Sequence, residues 1–127
     1  MQSQILYCGD TTLASAAAYL AGLLSASGES FRYVASDDPL RPDDLPEQLR
    51  LIILSDYPAA RVAPELQRRI VDLVAAGAGL LMIGGWESYH GLGGDWDRTL
   101  VAEALPVEIS SDDDRLNSDQ PLLVRRV

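Results

Sequence analysis

Two short apolar runs decide the fold: Leu51-Ile52-Ile53-Leu54, leading into Ser55-Asp56, and Leu80-Leu81-Met82-Ile83, leading into Gly84-Gly85. Neither run alternates apolar with polar residues, as a strand with one wet face would. Strands covered on both faces read this way, and parallel sheets bury both faces. Between the runs, from Ala63 to Ala76, Leu66, Ile70, Leu73 and Val74 recur at spacings of three and four residues. Glu65, Gln67, Arg68, Arg69 and Asp72 take much of the other side. That spacing predicts an amphipathic helix, which Gly77-Ala78-Gly79 closes. A buried strand, a helix and a second buried strand make one unit of a parallel α/β sheet.

Working outward, Gln4–Cys8 reads as a first strand ending at Gly9-Asp10, with Thr11-Thr12 placed to cap a helix after it. Leu13 through Ser25 is rich in Ala and Leu and stops at Ser27-Gly28, as a helix pressed onto a sheet would. Phe31–Ala35 is a second strand. Ser36 to Glu47, with three prolines and four aspartates, is a loop. Beyond Gly84, a glycine-rich loop runs to Asp97. Thr99–Leu105 is a short helix stopped by Pro106, and strands are expected at Val107–Ile109 and Leu122–Val127. The expectation is an α/β fold of three layers, with a doubly wound, mostly parallel sheet of flavodoxin-like strand order 2-1-3-4.

The 127 residues suffice for one domain, 1-127, around one core. A single cysteine, Cys8, allows no internal disulfide, so a reducing, cytoplasmic setting is expected. The apolar stretch Ala14–Leu24 is short for a membrane span, and no Lys or Arg precedes it as in a signal peptide. The net charge of −9 disfavours nucleic acid as a partner. Its acidic clusters, Asp37-Asp38, Asp43-Asp44 and Asp112–Asp114, sit among Pro, Ser and Asn and read as solvated loops.

In an open parallel sheet, ligands bind at the carboxyl ends of the strands, near the point where strand order reverses. Three loops begin there: Gly9-Asp10-Thr11-Thr12, Ser55-Asp56-Tyr57, and Gly84-Gly85-Trp86-Glu87-Ser88-Tyr89-His90. Their convergence marks Asp10, Ser55, Asp56, Gly84, Gly85, Trp86, Glu87, Ser88 and Tyr89 as candidate ligand-binding residues. Glycines after a buried strand let the backbone turn and approach a ligand. Trp86, Tyr89 and His90 add stacking faces and polar tips. The plain alternatives are a tight turn for Gly84-Gly85-Trp86, a helix cap for Asp10 and a turn former for Asp56.

Nucleophilic catalysis needs an activated nucleophile with a base in reach. The candidates are Cys8 and Ser88, with His90 as base. Cys8 ends the first strand, where a small buried hydrophobe is the commoner role. Ser88 lacks the glycine-flanked elbow of the serine hydrolases. One histidine and one cysteine argue against a zinc site, so no metal and no cofactor is expected.

The stretches from Leu51 to Ala59, from Ile70 to Gly94 and from Thr99 to Ile109 resemble the glutamine amidotransferase-like proteins. These are relatives of class I glutamine amidotransferases and of trehalose-utilisation-type folds. The resemblance rests on Ser55-Asp56, Gly77–Gly79, Gly84-Gly85-Trp86, Ser88-Tyr89 and Leu105-Pro106-Val107. It implies the same doubly wound sheet. It also implies a cysteine at a sharp elbow after a strand, with a histidine and an acidic residue later in the chain. Here Gly84-Gly85 stands at that elbow without a cysteine, and no histidine follows His90. The resemblance further implies a longer sequence, which leaves open a chain lacking a C-terminal part.

The leading expectation is therefore a glutamine amidotransferase-like domain without the usual nucleophile. It would bind a small polar ligand or a protein partner at the strand edge. Two alternatives remain at this point: a hydrolase or amidotransferase using Cys8 or Ser88 with His90, and a structural domain that forms a homo-oligomer.

Overall fold

The computed structural model describes residues 3–126. Four strands, β1 (Ile5–Gly9), β2 (Phe31–Val34), β3 (Leu51–Ser55) and β4 (Gly79–Ile83), form one sheet in the order β2-β1-β3-β4. Every pairing is parallel, with Tyr7 beside Tyr33 and Ile53, and Leu54 beside Met82. Helices α1 (Ala17–Ala26), α2 (Pro64–Ala75) and α3 (Leu100–Glu103) complete the fold, with one-turn 3-10 segments at Pro42–Asp44 and Ala59–Arg61. The expected strand order and α/β class are those observed.

Alternation along the strands builds three layers. Ile5, Tyr7 and Ile53 face one way and pack against Ala17 and Ala21 of α1. Leu6, Cys8, Ile52, Leu54 and Met82 face the other way and meet Ile70 and Leu73 of α2, Val101 of α3, and Trp96. The small residues on α1 let it lie close to the sheet. On the α1 side of β4, Leu81 and Ile83 stay 45% and 36% exposed, so this outer strand is covered on one face only.

Several boundaries differ from expectation. Helix α1 starts at Ala17 rather than Leu13, because Thr12 and Ser15 bond to one another in a separate turn. The strands expected at Val107–Ile109 and Leu122–Val127 do not form among the described residues; Val127 lies outside them. Ile109 instead packs against the core on the α2–α3 face. Leu122, Leu123 and Val124 are almost wholly exposed, with no neighbouring strand to reward extension. Helix α3 is a single turn, capped by the Thr99 hydroxyl accepting from the Ala102 amide at 3.2 Å.

Candidate functional site

The strand-end loops do converge, and a chain of hydrogen bonds joins them. Asp10 follows β1, and its amide donates to the Ser55 carbonyl at the end of β3 at 2.8 Å. Its carboxylate accepts from the Ser55 hydroxyl at 2.9 Å and from the Tyr7 hydroxyl. Asp10 is therefore not a helix cap; it ties the ends of β1 and β3 together. Ser36, after β2, accepts from the Thr11 amide and donates to the Asp56 carbonyl, each at 2.9 Å. The Asp56 carboxylate accepts from the Glu87 amide at 2.6 Å, which brings in the loop after β4.

Two glycines make this closeness feasible. At Gly9, with φ +114°, an added Cβ would lie 1.7 Å from the Ser55 carbonyl oxygen. At Gly85 it would lie 2.6 Å from an Asp56 carboxylate oxygen. Asp10, Thr11, Asp56 and Tyr89 all adopt positive φ near 50–65° despite their side chains. Left-handed backbone is uncommon outside glycine. Here it gathers at one edge of one sheet.

Burial shapes the ionisation of this rim. Desolvation, then the hydrogen bond to Asp10, raises the Tyr7 hydroxyl above the usual tyrosine value. Burial and nearby Asp10 push Tyr33 up to about 12, and its hydroxyl donates to the Gly9 carbonyl at 2.6 Å. Burial, followed by the charges of Asp56 and Asp37, raises Glu87 above the ordinary carboxylate range; Arg61 opposes this.

The candidate nucleophiles are placed otherwise. Cys8 is fully buried, with its side chain in the core beneath α2, and burial, then Asp44, pushes its thiol well up. A thiol so held stays protonated, whereas the thiolate is the attacking form. Ser88 is 2% exposed, and its hydroxyl accepts from the Asp56 amide at 2.9 Å while donating to the Ile83 carbonyl. His90 pairs through Nδ1 with Asp97 at 2.7 Å, in the far part of the same loop. The structure thus gives each of the three candidate residues a partner or a place outside any nucleophile–base pair.

Trp96 carries the part of the site that sequence reading missed. It is fully buried, and its Nε1 donates to the Tyr57 carbonyl at 2.8 Å. The Gly94 carbonyl accepts from the Ala59 amide at 2.9 Å. These contacts fold the glycine-rich loop inward, while Trp86 remains 64% exposed. The segment after Ile109 then returns over the loop. Asp114 accepts from the amides of His90 and Gly91 at 3.3 and 2.8 Å, and the Arg115 guanidinium lies 4.6 Å from the Trp86 ring centre.

Between them opens a cleft of about 350 Å³, bounded by Gly84, Gly85, Trp86 and Tyr89 on one side and Asp114–Asn117 on the other. A larger depression, about 440 Å³, lies at the opposite end of the strands near Gln4, Arg50 and Gly77. Doubly wound sheets place ligands at the carboxyl ends, which favours the first.

A family profile described as "Putative glutamine amidotransferase" matches residues 48–125. The chain belongs to this family. The match takes in the second half of the sheet and both walls of the cleft of this glutamine amidotransferase-like chain, including the acidic segment that sequence reading left outside its resemblance. Comparison with curated proteins gives no match. Among the described residues, no helix is long and apolar enough to cross a membrane.

Proposed function

We propose that this glutamine amidotransferase-like domain binds a small polar ligand in the cleft between the Gly84–Tyr89 loop and Asp114–Asn117, without hydrolysing it through a cysteine. One observation carries the reading: an exposed tryptophan, a guanidinium set against its ring, and two glycines line one cleft at the carboxyl edge of the sheet. Trp86 offers an apolar ring, and Gly84 leaves its backbone approachable. Arg115, held by Asp113 through Nε and Nη2, still brings further guanidinium N–H groups to the cleft. Asp56, in left-handed backbone, packs against Gly85 and accepts from the Glu87 amide, which gives the loop a base. Asp10, Ser55 and Asp56 support that base rather than line the cleft. The buried thiol of Cys8 and the engaged hydroxyl of Ser88 weigh against the hydrolase alternative.

Thermal-shift screening against amino acids, amides and sugars tests the proposal. The expected result is a stabilising ligand class whose effect is lost in Trp86→Ala and weakened in Arg115→Ala. A ligand response untouched by Trp86→Ala would remove the assigned floor. Ammonia release from glutamine that disappears in both Cys8→Ser and His90→Ala would restore the enzyme reading.

A further inference from the structure

The glycine-rich loop holds a second cluster, separate from the cleft floor. The donor atoms of His90, Asp95 and Asp97 all lie within 4.8 Å of one another. We propose that this triad is a binding site for a divalent transition cation of the zinc type.

The backbone sets the cluster up. The His90 carbonyl accepts from the amides of Gly94 and Asp95, both at 3.1 Å, which curls the chain back on itself. Gly94 has to be glycine in this curl, since a Cβ would lie 2.9 Å from that same carbonyl oxygen. Asp95 turns with φ 52° and projects beside the imidazole rather than away from it. Trp96, locked in the core, then fixes the positions of Asp95 and Asp97 on either side of it. The three donors therefore come from one tight turn with a buried anchor. His90 and Asp97 are already paired, so an ion would have to order chiefly the exposed Asp95 side chain.

Donor chemistry and electrostatics agree. Imidazole with carboxylate oxygens suits zinc and its first-row neighbours, and three protein ligands leave a position for water or a substrate group. A tetrahedral ion with bonds of about 2.0–2.2 Å spaces its donors about 3.4 Å apart. His90 Nδ1 and Asp97 now stand at 2.7 Å, so a small side-chain rotation lets an ion replace the proton between them. The side chains of His90 and Asp97 are 21% and 16% exposed, sheltered yet reachable from solvent. Asp114, bound to the His90 amide, adds a further negative charge beside the cluster.

Calorimetric titration of the metal-free chain with Zn²⁺, paralleled by the visible absorption of Co²⁺, tests the site. One equivalent should bind, with Co²⁺ bands of low coordination number. Asp95 is exposed, and asparagine tolerates left-handed backbone, so Asp95→Asn should keep the fold and weaken binding by about tenfold or more. His90→Gln should abolish it, while Asp43→Asn, in a distant acidic loop, should change nothing. No saturable binding below millimolar metal would overturn the proposal and leave His90–Asp97 as a plain ion pair. Binding equally strong in Asp95→Asn and His90→Gln would also overturn it, as would binding weakened as much by Asp43→Asn. Since Trp86 takes no part, Trp86→Ala should leave the titration unchanged; failure of the ligand cleft and failure of the metal site are separately visible.

Discussion

The amide of Asp56 donates to the hydroxyl of Ser88 at 2.9 Å, across the gap between the ends of β3 and β4. That hydroxyl in turn donates to the Ile83 carbonyl. A serine that sequence alone offers as a nucleophile is thus a buried bracket between two strand ends. Ser88→Ala would leave both backbone groups unsatisfied and should cost about 1–3 kcal/mol. Urea denaturation of the variant measures it; an unchanged midpoint would mean that water reaches these groups.

Cys8 should behave as a core residue. The native protein should resist alkylation by iodoacetamide and react only after unfolding, because the thiol is enclosed and held protonated. Mass spectrometry with and without denaturant reads this directly. Rapid native labelling would reopen a role for this cysteine.

Trp96 should be the most costly single residue of the loop. Trp96→Ala leaves a cavity in the core beneath α2 and strips a donor from the Tyr57 carbonyl, for a loss of about 3–5 kcal/mol. Domains of this size hold about 5–15 kcal/mol in total, so the variant should be close to unfolding. Trp96→Phe keeps most of the volume and isolates the hydrogen bond, at about 1–3 kcal/mol. Exposed Trp86→Ala should leave the melting temperature nearly unchanged by comparison.

Glu87 makes stability depend on acid pH. Its carboxyl holds a proton more tightly folded than unfolded, through burial and then the neighbouring charge of Asp56. The folded state thus suffers a penalty that is absent below the unfolded value, about 4.3, and complete once pH exceeds the raised folded value. Glu87→Gln removes that titration. The variant should be more stable than the parent at pH 7 and indistinguishable from it below about pH 4. Chemical unfolding at both values checks the sign, and a gap of equal size at both would refute the cause.

Much of the frame was legible because each element announced itself locally. Leu51–Ser55 and Leu80–Ile83 are apolar without alternation, and Ile70 and Leu73 recur at helical spacing. The expected strands after Pro106 failed for a physical reason. Short segments with β-branched and apolar residues, such as Val107–Ile109 and Leu122–Val124, say only that the chain could extend, not that a sheet edge will receive it. Ile109 found the α2–α3 face instead.

At the site, residue types pointed to the right loops but not to the roles within them. Trp86 and Trp96 are the same letter ten positions apart in one loop, yet one is 64% exposed and the other fully buried. Periodicity is silent in an irregular loop, so no local signal tells an anchor from a face.

The sequence by itself determined the parallel α/β order and which loops follow the strand ends, because strand burial and turn chemistry are local properties; that Gly84-Gly85 stands where relatives carry a cysteine is what the resemblance implies. Only the tertiary structure decided that Asp10 braces β3, that Ser88 is bracketed, that Asp114 and Arg115 return over Trp86, and that Asp95 and Asp97 gather at His90. Those are contacts between residues far apart in sequence or curled together by an irregular turn. Their geometry is set by where the packed core holds the backbone.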